Sequence, residues 1–131
     1  MEAALPVVFI AEDDKIIANL LSDFLNEKNI RVVALQNGKE LLAKVEEIQP
    51  DVLMIDVQMP GLNGIEVMER IRSNPDKKIA ALPIIAVTAL AIAGDRERCM
   101  AAGANLYLSK PVKLSVLPDL IRDLCKNNPS A

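Results

Sequence analysis

Short apolar runs and helically spaced apolar residues alternate five times along this chain, and few architectures accept that order. The runs are Pro6 to Ala11, Ile30 to Leu35, Leu53 to Asp56, Pro83 to Val87 and Leu106 to Leu108. They have few polar breaks, as expected of strands covered on both faces. Between them Ile16, Ile17, Leu20, Leu21, Phe24 and Leu25 mark a first helix, and Leu41, Leu42, Val45 and Ile48 a second. Ile65, Met68 and Ile71 mark a third, residues Ile92 to Ala102 a fourth, and Leu117, Leu120, Ile121 and Leu124 the last. Such spacing gives each helix one apolar stripe. Strand and helix in strict alternation predict an α/β fold, a parallel sheet with helices on both faces.

Local signals set the boundaries. Asp14 is the expected cap of the first helix. Asn37-Gly38 and Asn63-Gly64 read as turns leading into helices, Pro50 closes the second helix, and Gly103 ends the fourth as its C-cap. Ser73 to Ala81, polar and containing Pro75, reads as a surface loop, and Asn127 to Ala131 as a frayed tail. A length of 131 residues fits a single domain over 1–131, with its core over about 7–126 between a short N-terminal arm and the tail.

Composition removes several functions. A net charge of −3 with scattered Lys and Arg argues against nucleic-acid binding. No apolar run approaches the roughly 18 residues of a membrane span, and the N-terminus lacks a secretory pattern, so a cytoplasmic protein is expected. The chain has no histidine, which excludes Ser-His-Asp and Cys-His catalysis and histidine-ligated zinc. Cys99 and Cys125 stand far apart and read as reduced thiols on helices. With three aromatic residues (Phe9, Phe24, Tyr107), base or flavin stacking has little to work with.

The run Leu53-Met54-Ile55 opens onto Asp56, and Met59-Pro60-Gly61 then turns the chain. On its own, Asp56 is equally a turn former. It is not on its own. The first strand exits onto Glu12 and Asp13, the fourth onto Thr88, and the fifth onto Ser109-Lys110-Pro111. Open parallel sheets bind ligands at the carboxyl ends of their strands. Three carboxylates gathered there suit a hard divalent cation, and Mg²⁺, for which Mn²⁺ could substitute, keeps waters that phosphate oxygens can replace. Lys110 adds a positive point charge and Thr88 a hydroxyl donor. This set suits an incoming phosphoryl group, with Asp56 as the nucleophile that forms an acyl phosphate.

Ala11-Glu12-Asp13-Asp14, Ile55-Asp56-Val57-Gln58-Met59-Pro60-Gly61, Val87-Thr88-Ala89 and Tyr107-Leu108-Ser109-Lys110-Pro111 together resemble the receiver domain of two-component response regulators, over about residues 7 to 126. The resemblance implies a flavodoxin-like (βα)5 fold, doubly wound, with strand order 2-1-3-4-5. It implies that Glu12, Asp13, Asp56 and the backbone carbonyl of Gln58 hold Mg²⁺, and that Asp56 takes phosphate from a histidine kinase. It further implies that Thr88 and Lys110 grip the phosphoryl group and that Pro111 follows a cis bond. Tyr107 matches the switch aromatic, which rotates as Thr88 moves toward the phosphate. Pro60 and Gly64 fall at structural positions of the same loop. The stretch Gly94 to Asn105 resembles receivers of hybrid sensor kinases.

Three residues depart from the family pattern. Leu106 cannot make the acidic residue's dimer salt bridge. It suggests a monomer or weak dimer, with an apolar face of fourth helix, fifth strand and fifth helix that docks an effector protein. Leu90 replaces a polar residue of fast-hydrolysing receivers and predicts slow to intermediate self-dephosphorylation. Pro118 fits the last helix only if that helix begins near Val116, capped by Ser115. Two roles stay open: a stand-alone switch, and a relay module passing phosphate to a histidine phosphotransfer protein. A magnesium-dependent aspartyl phosphohydrolase is a remote third, because Gln58 stands where such enzymes need a second Asp as general acid. Self-phosphorylation and self-dephosphorylation, rather than metabolic turnover, is the expected activity.

Overall fold

The structure is a computed structural model that describes residues 5–89 and 92–126. Five parallel strands form one sheet: β1 (Val7–Ala11), β2 (Arg31–Leu35), β3 (Val52–Asp56), β4 (Ile84–Thr88) and β5 (Leu106–Ser109). Their order across the sheet is β2-β1-β3-β4-β5, the expected flavodoxin-like arrangement. The helices are α1 (Lys15–Glu27), α2 (Gly38–Glu47), α3 (Gly64–Arg72), α4 (Lys77–Ala80), α5 (Asp95–Ala102) and α6 (Leu117–Lys126).

Strand periodicity of two sorts the core into two layers. Val8 and Ile10 of β1, with Val52 and Met54 of β3, pack against Leu21 and Leu25 of α1 and against Leu117 and Ile121 of α6. Phe9, Ala11, Leu53 and Ile55 face the other way, toward Leu41 of α2, Met68 and Ile71 of α3, and Cys99 of α5. β3 and β4 are buried along their whole length, which is why their sequences do not alternate.

The caps follow the local chemistry. Asp14 accepts from the N–H groups of Ile16 and Ile17, Asn37 from Glu40, and Asn63 from Glu66. Gly103 ends α5 at φ 116°, a left-handed conformation that costs glycine little. Both cysteines are free, Cys99 in α5 and Cys125 in α6.

Three boundaries differ from the sequence expectation. The polar stretch Ser73 to Ala81 contains the one-turn helix α4, capped by Asp76, because Ile79 has a buried site to fill. α5 starts at Asp95 rather than Ile92, since Gly94 at φ 85° interrupts the helical path. α6 starts at Leu117, preceded by a 3-10 turn over Leu114–Val116 that takes in Ser115, so Ser115 is not its cap. Pro118, buried in the first turn of α6, needs no N–H partner there. The tail from Asn127 and residue Leu90 lie outside the described residues.

Arg72, at the end of α3, ties this region together. Its guanidinium donates to the carbonyls of Ala80 (2.8 Å), Leu82 (2.7 Å) and Gly103 (2.7 Å) and to Asn105 Oδ1 (3.0 Å). Asn105 Oδ1 also accepts from the N–H of Ile84 at the start of β4. Arg72→Ala leaves partly buried carbonyls without their donor and is expected to cost on the order of 2 kcal/mol, read from urea unfolding.

Candidate functional site

The sheet register brings the acidic residues together. Ala11 pairs with Ile55, so Glu12 and Asp56, the next residue on each strand, sit side by side at the carboxyl edge. Lys110, just beyond β5, reaches back across that edge. Its ammonium donates to Glu12 Oε1 at 2.7 Å and to Asp56 Oδ2 at 2.8 Å. The remaining oxygens are also engaged: Asp56 Oδ1 accepts from the Gln58 N–H (2.9 Å), and Glu12 Oε2 from the Asp14 N–H (3.1 Å). Glu12 is 5% exposed and Asp56 4%, whereas Asp13 lies open to solvent.

Electrostatics follow from that burial. Burial raises the Glu12 pKa, and the neighbouring Asp56 charge adds to it, against the opposing Lys110 and Asp14 hydrogen bonds. Burial alone would lower the Lys110 pKa, but its bonds to Asp56 and Glu12 outweigh burial and raise it. The ammonium is therefore firmly charged.

Backbone contacts position these groups. The N–H of Val57 donates to Val87 O (2.8 Å), fixing the chain after Asp56 against β4. The N–H of Gly64 donates to Val57 O (3.0 Å), and a Cβ on Gly64 would stand 2.6 Å from Val57 Cα and 2.7 Å from Asp56 O. Glycine is required by that close approach. Pro60 and Gly61 are exposed in the intervening turn, with Gly61 at φ 79°. The Lys110-Pro111 bond is cis, and the Lys110 N–H donates to the carbonyl of Thr88 at 2.8 Å. Thr88, the last residue of β4, is fully buried. An apolar cavity of about 400 Å³ opens between α1 and residues Pro111 to Leu114, and Glu12, Asp56 and Lys110 form part of its wall.

Tyr107 is half-buried on the face of the sheet covered by α2, α3 and α5. Its hydroxyl donates to Asp95 Oδ2 at 2.8 Å, and Arg98 donates to Asp95 Oδ1, also at 2.8 Å. Asp95 is 4% exposed and was not singled out from the sequence. An acidic residue opening a helix reads there as a response to the helix dipole. Only the fold reveals its partner. Burial, then the bond to Asp95, pushes the Tyr107 pKa up to about 12. A folded-state value above the unfolded one, near 10, stabilises the fold below about pH 10 and loses that contribution as pH rises through about 12. Absorbance titration of the sole tyrosine is expected to give a midpoint well above that of a free phenol. Leu106 is half-buried and packs against the layer that α6 covers.

The family model for the response regulator receiver domain matches residues 8–122. The chain belongs to the response regulator receiver family. This receiver is 34% identical over 107 residues to the polar-differentiation response regulator DivK of Brucella anthropi, covering 82% of this chain and 85% of that one. Among solved structures, it is similar to the receiver domain of the Francisella response regulator 1452, at 30% identity and TM-score 0.83, over 92% of this chain and 97% of that chain. It is also similar to the receiver domain of the sensor histidine kinase PA1611 from Pseudomonas aeruginosa, a structure with magnesium coordinated in its active site cleft. That match has 29% identity and TM-score 0.85, over 95% of this chain and all of the other.

The receiver's acid cluster is suited to a divalent cation. One carboxylate oxygen each from Glu12, Asp13 and Asp56 lie within 4.8 Å of one another, an all-oxygen donor set of the kind a hard divalent cation takes. Its activity is of the self-phosphorylating and self-dephosphorylating kind rather than metabolic turnover. No helix among the described residues is long and apolar enough to cross a membrane.

Proposed function

We propose that Asp56 accepts a phosphoryl group from a phosphohistidine of a partner kinase, and that Glu12, Asp13, Asp56 and the Gln58 carbonyl hold the Mg²⁺ this needs, with Mn²⁺ as a substitute. One observation carries the reading: the Lys110 ammonium bridges Glu12 and Asp56 at 2.7 and 2.8 Å, at a strand edge where three carboxylate oxygens converge. A carboxylate oxygen of Asp56 attacks phosphorus in line, the O–P bond forms and the N–P bond breaks, and the leaving imidazole nitrogen takes up a proton. When bound, the cation supplies charge neutralisation for the transferring oxygens. Lys110 turns from the Asp56 carboxylate to a phosphoryl oxygen, and the Thr88 hydroxyl donates to another. The reporting surface is the face of α5, β5 and α6, where Ile92 and Met100 stand exposed and offer apolar contacts to an effector protein.

The test is incubation with a small acyl-phosphate donor, with and without Mg²⁺, followed by peptide mass analysis. One phosphoryl group is expected, only with the cation, on the peptide containing Asp56. A group located elsewhere, or none at all, defeats the assignment.

Passage of phosphate onward to a histidine phosphotransfer protein is a second reading. It is favoured by the similarity to the receiver domain of a signal transduction histidine kinase from Syntrophus aciditrophicus, at 26% identity and TM-score 0.86, over 96% of this chain and 94% of that one. Mixing phosphorylated protein with candidate phosphotransfer partners separates the roles by whether the label moves.

A further inference from the structure

The acid cluster with its lysine and the tyrosine lie on different faces of the sheet. Glu12, Asp56 and Lys110 line the cavity on the α1 side. Tyr107 packs on the opposite face, the one covered by α2, α3 and α5. In the β4–β5 ladder Tyr107 stands opposite Ala86, and Thr88, one alternation further on, stands opposite Ser109. Thr88 and Tyr107 therefore share a face and are ladder neighbours. The helix that follows Thr88 in the chain opens with Asp95, and Asp95 receives the Tyr107 hydroxyl.

Asp95 is a nearly inaccessible carboxylate with both oxygens engaged, one by Tyr107 and one by Arg98. A buried acceptor bonded to a phenol is lost only at the cost of leaving a desolvated oxygen without a donor. Both bonds are 2.8 Å long and partly buried, and the Arg98 side chain is itself largely exposed. The same structure has Lys110 bridging Glu12 and Asp56.

We infer that Asp95 is a positioning residue for the switch: by holding the Tyr107 hydroxyl at the start of α5, it locks β5 to α5 in the resting receiver, and phosphorylation has to release this contact before the α5–β5–α6 face changes. The inference rests on Asp56 being the phosphoacceptor. It assigns to a residue outside the acid cluster the restraint that sets the resting population. A restraint present only in the resting state lowers the fraction of competent molecules, and with it the apparent rate of phosphorylation.

Three proteins test it: wild type, Asp95→Ala and Tyr107→Phe. Tyr107→Phe removes only the hydroxyl and keeps the ring, so it remains informative if Asp95→Ala folds poorly. The chain has one tyrosine and no tryptophan, so phenol absorbance and emission report Tyr107 alone. In Asp95→Ala the ionisation midpoint is expected to fall from about 12 toward the ordinary value near 10. Emission from wild type is expected to change when acyl phosphate and Mg²⁺ are added, and that change to shrink in Asp95→Ala. Both variants are expected to take up phosphoryl groups about three- to tenfold faster than wild type. An unchanged midpoint means no such contact holds in solution and overturns the proposal. A lowered midpoint with unchanged uptake and an unchanged emission response means the contact is only structural, which also overturns it. Failure of wild type to take up phosphate defeats the Asp56 assignment and this proposal with it, whereas normal wild-type uptake that neither variant alters defeats this proposal alone.

Discussion

Lys110→Met is expected to weaken the fold by about 3 kcal/mol without divalent cation and to slow phosphoryl uptake by about 10²- to 10³-fold. The stability loss comes from what the ammonium leaves behind. Glu12 and Asp56 lie next to each other, each no more than 5% exposed, and Lys110 is the cation that contacts both. Methionine fills much of the lysine volume, so little of the loss is packing. It is the uncompensated repulsion of two desolvated carboxylates, and breaking such a pair from one side is costly. Two corollaries identify the cause. Adding Mg²⁺ should recover most of the stability, because a cation that binds only the folded cluster stabilises it by mass action. Lowering the pH should also narrow the gap to wild type, since burial already raises the Glu12 pKa and protonation removes the repulsion. Phosphoryl uptake should stay slow even with Mg²⁺, because the cation does not replace the donor proposed to meet the transferring oxygens. Urea unfolding of both proteins, with and without cation, reads the first effect. A variant as stable as wild type under both conditions would show that the bridge carries no load.

Gly64→Ala is expected to cost about 3 kcal/mol and to impair the site as well. The added carbon would lie 2.6 Å from Val57 Cα and 2.7 Å from Asp56 O, both backbone atoms that cannot swing aside. Relief requires α3 to back away from the loop after β3, which stretches the Gly64 N–H bond to Val57 O and shifts the backbone that carries Asp56. Gly61→Ala is the matched control. Nothing lies within 4 Å of its missing Cβ, and its cost is confined to a left-handed φ of 79°, roughly 1 to 2 kcal/mol. Unfolding midpoints should therefore rank wild type, Gly61→Ala, Gly64→Ala, with phosphoryl uptake slowed chiefly in the last. The reverse order would mean that the contact at Gly64 relaxes freely.

Much of the candidate site was legible before the fold was known. Glu12, Asp13, Asp56, Thr88 and Lys110 each end or follow a strand, and in a parallel sheet all strand exits lie on one edge. Covalent order therefore carries those side chains to a common place. Helix caps were legible for a similar reason: the Asp14 side chain needs nothing beyond the next turn of its own chain. Predictions failed where burial overrode local preference. Ile79, which has a buried site to fill, pulls one turn of helix out of a polar stretch.

The order of elements, the parallel sheet and the identity of the residues gathered at its edge follow from the chain alone, because periodicity and adjacency act over a few residues. Which residues touch does not. The bonds from Lys110 to Glu12 and to Asp56 span 98 and 54 residues of sequence, and the Arg72 bond to Gly103 spans 31. Tyr107 meeting Asp95 depends on how α5 lies over β5. Such contacts depend on packing angles and register, which arise only when both layers of the core close on the sheet. Tertiary structure therefore decided that the acid cluster is bridged by Lys110, and that the tyrosine proposed to report it is tied to a carboxylate on α5.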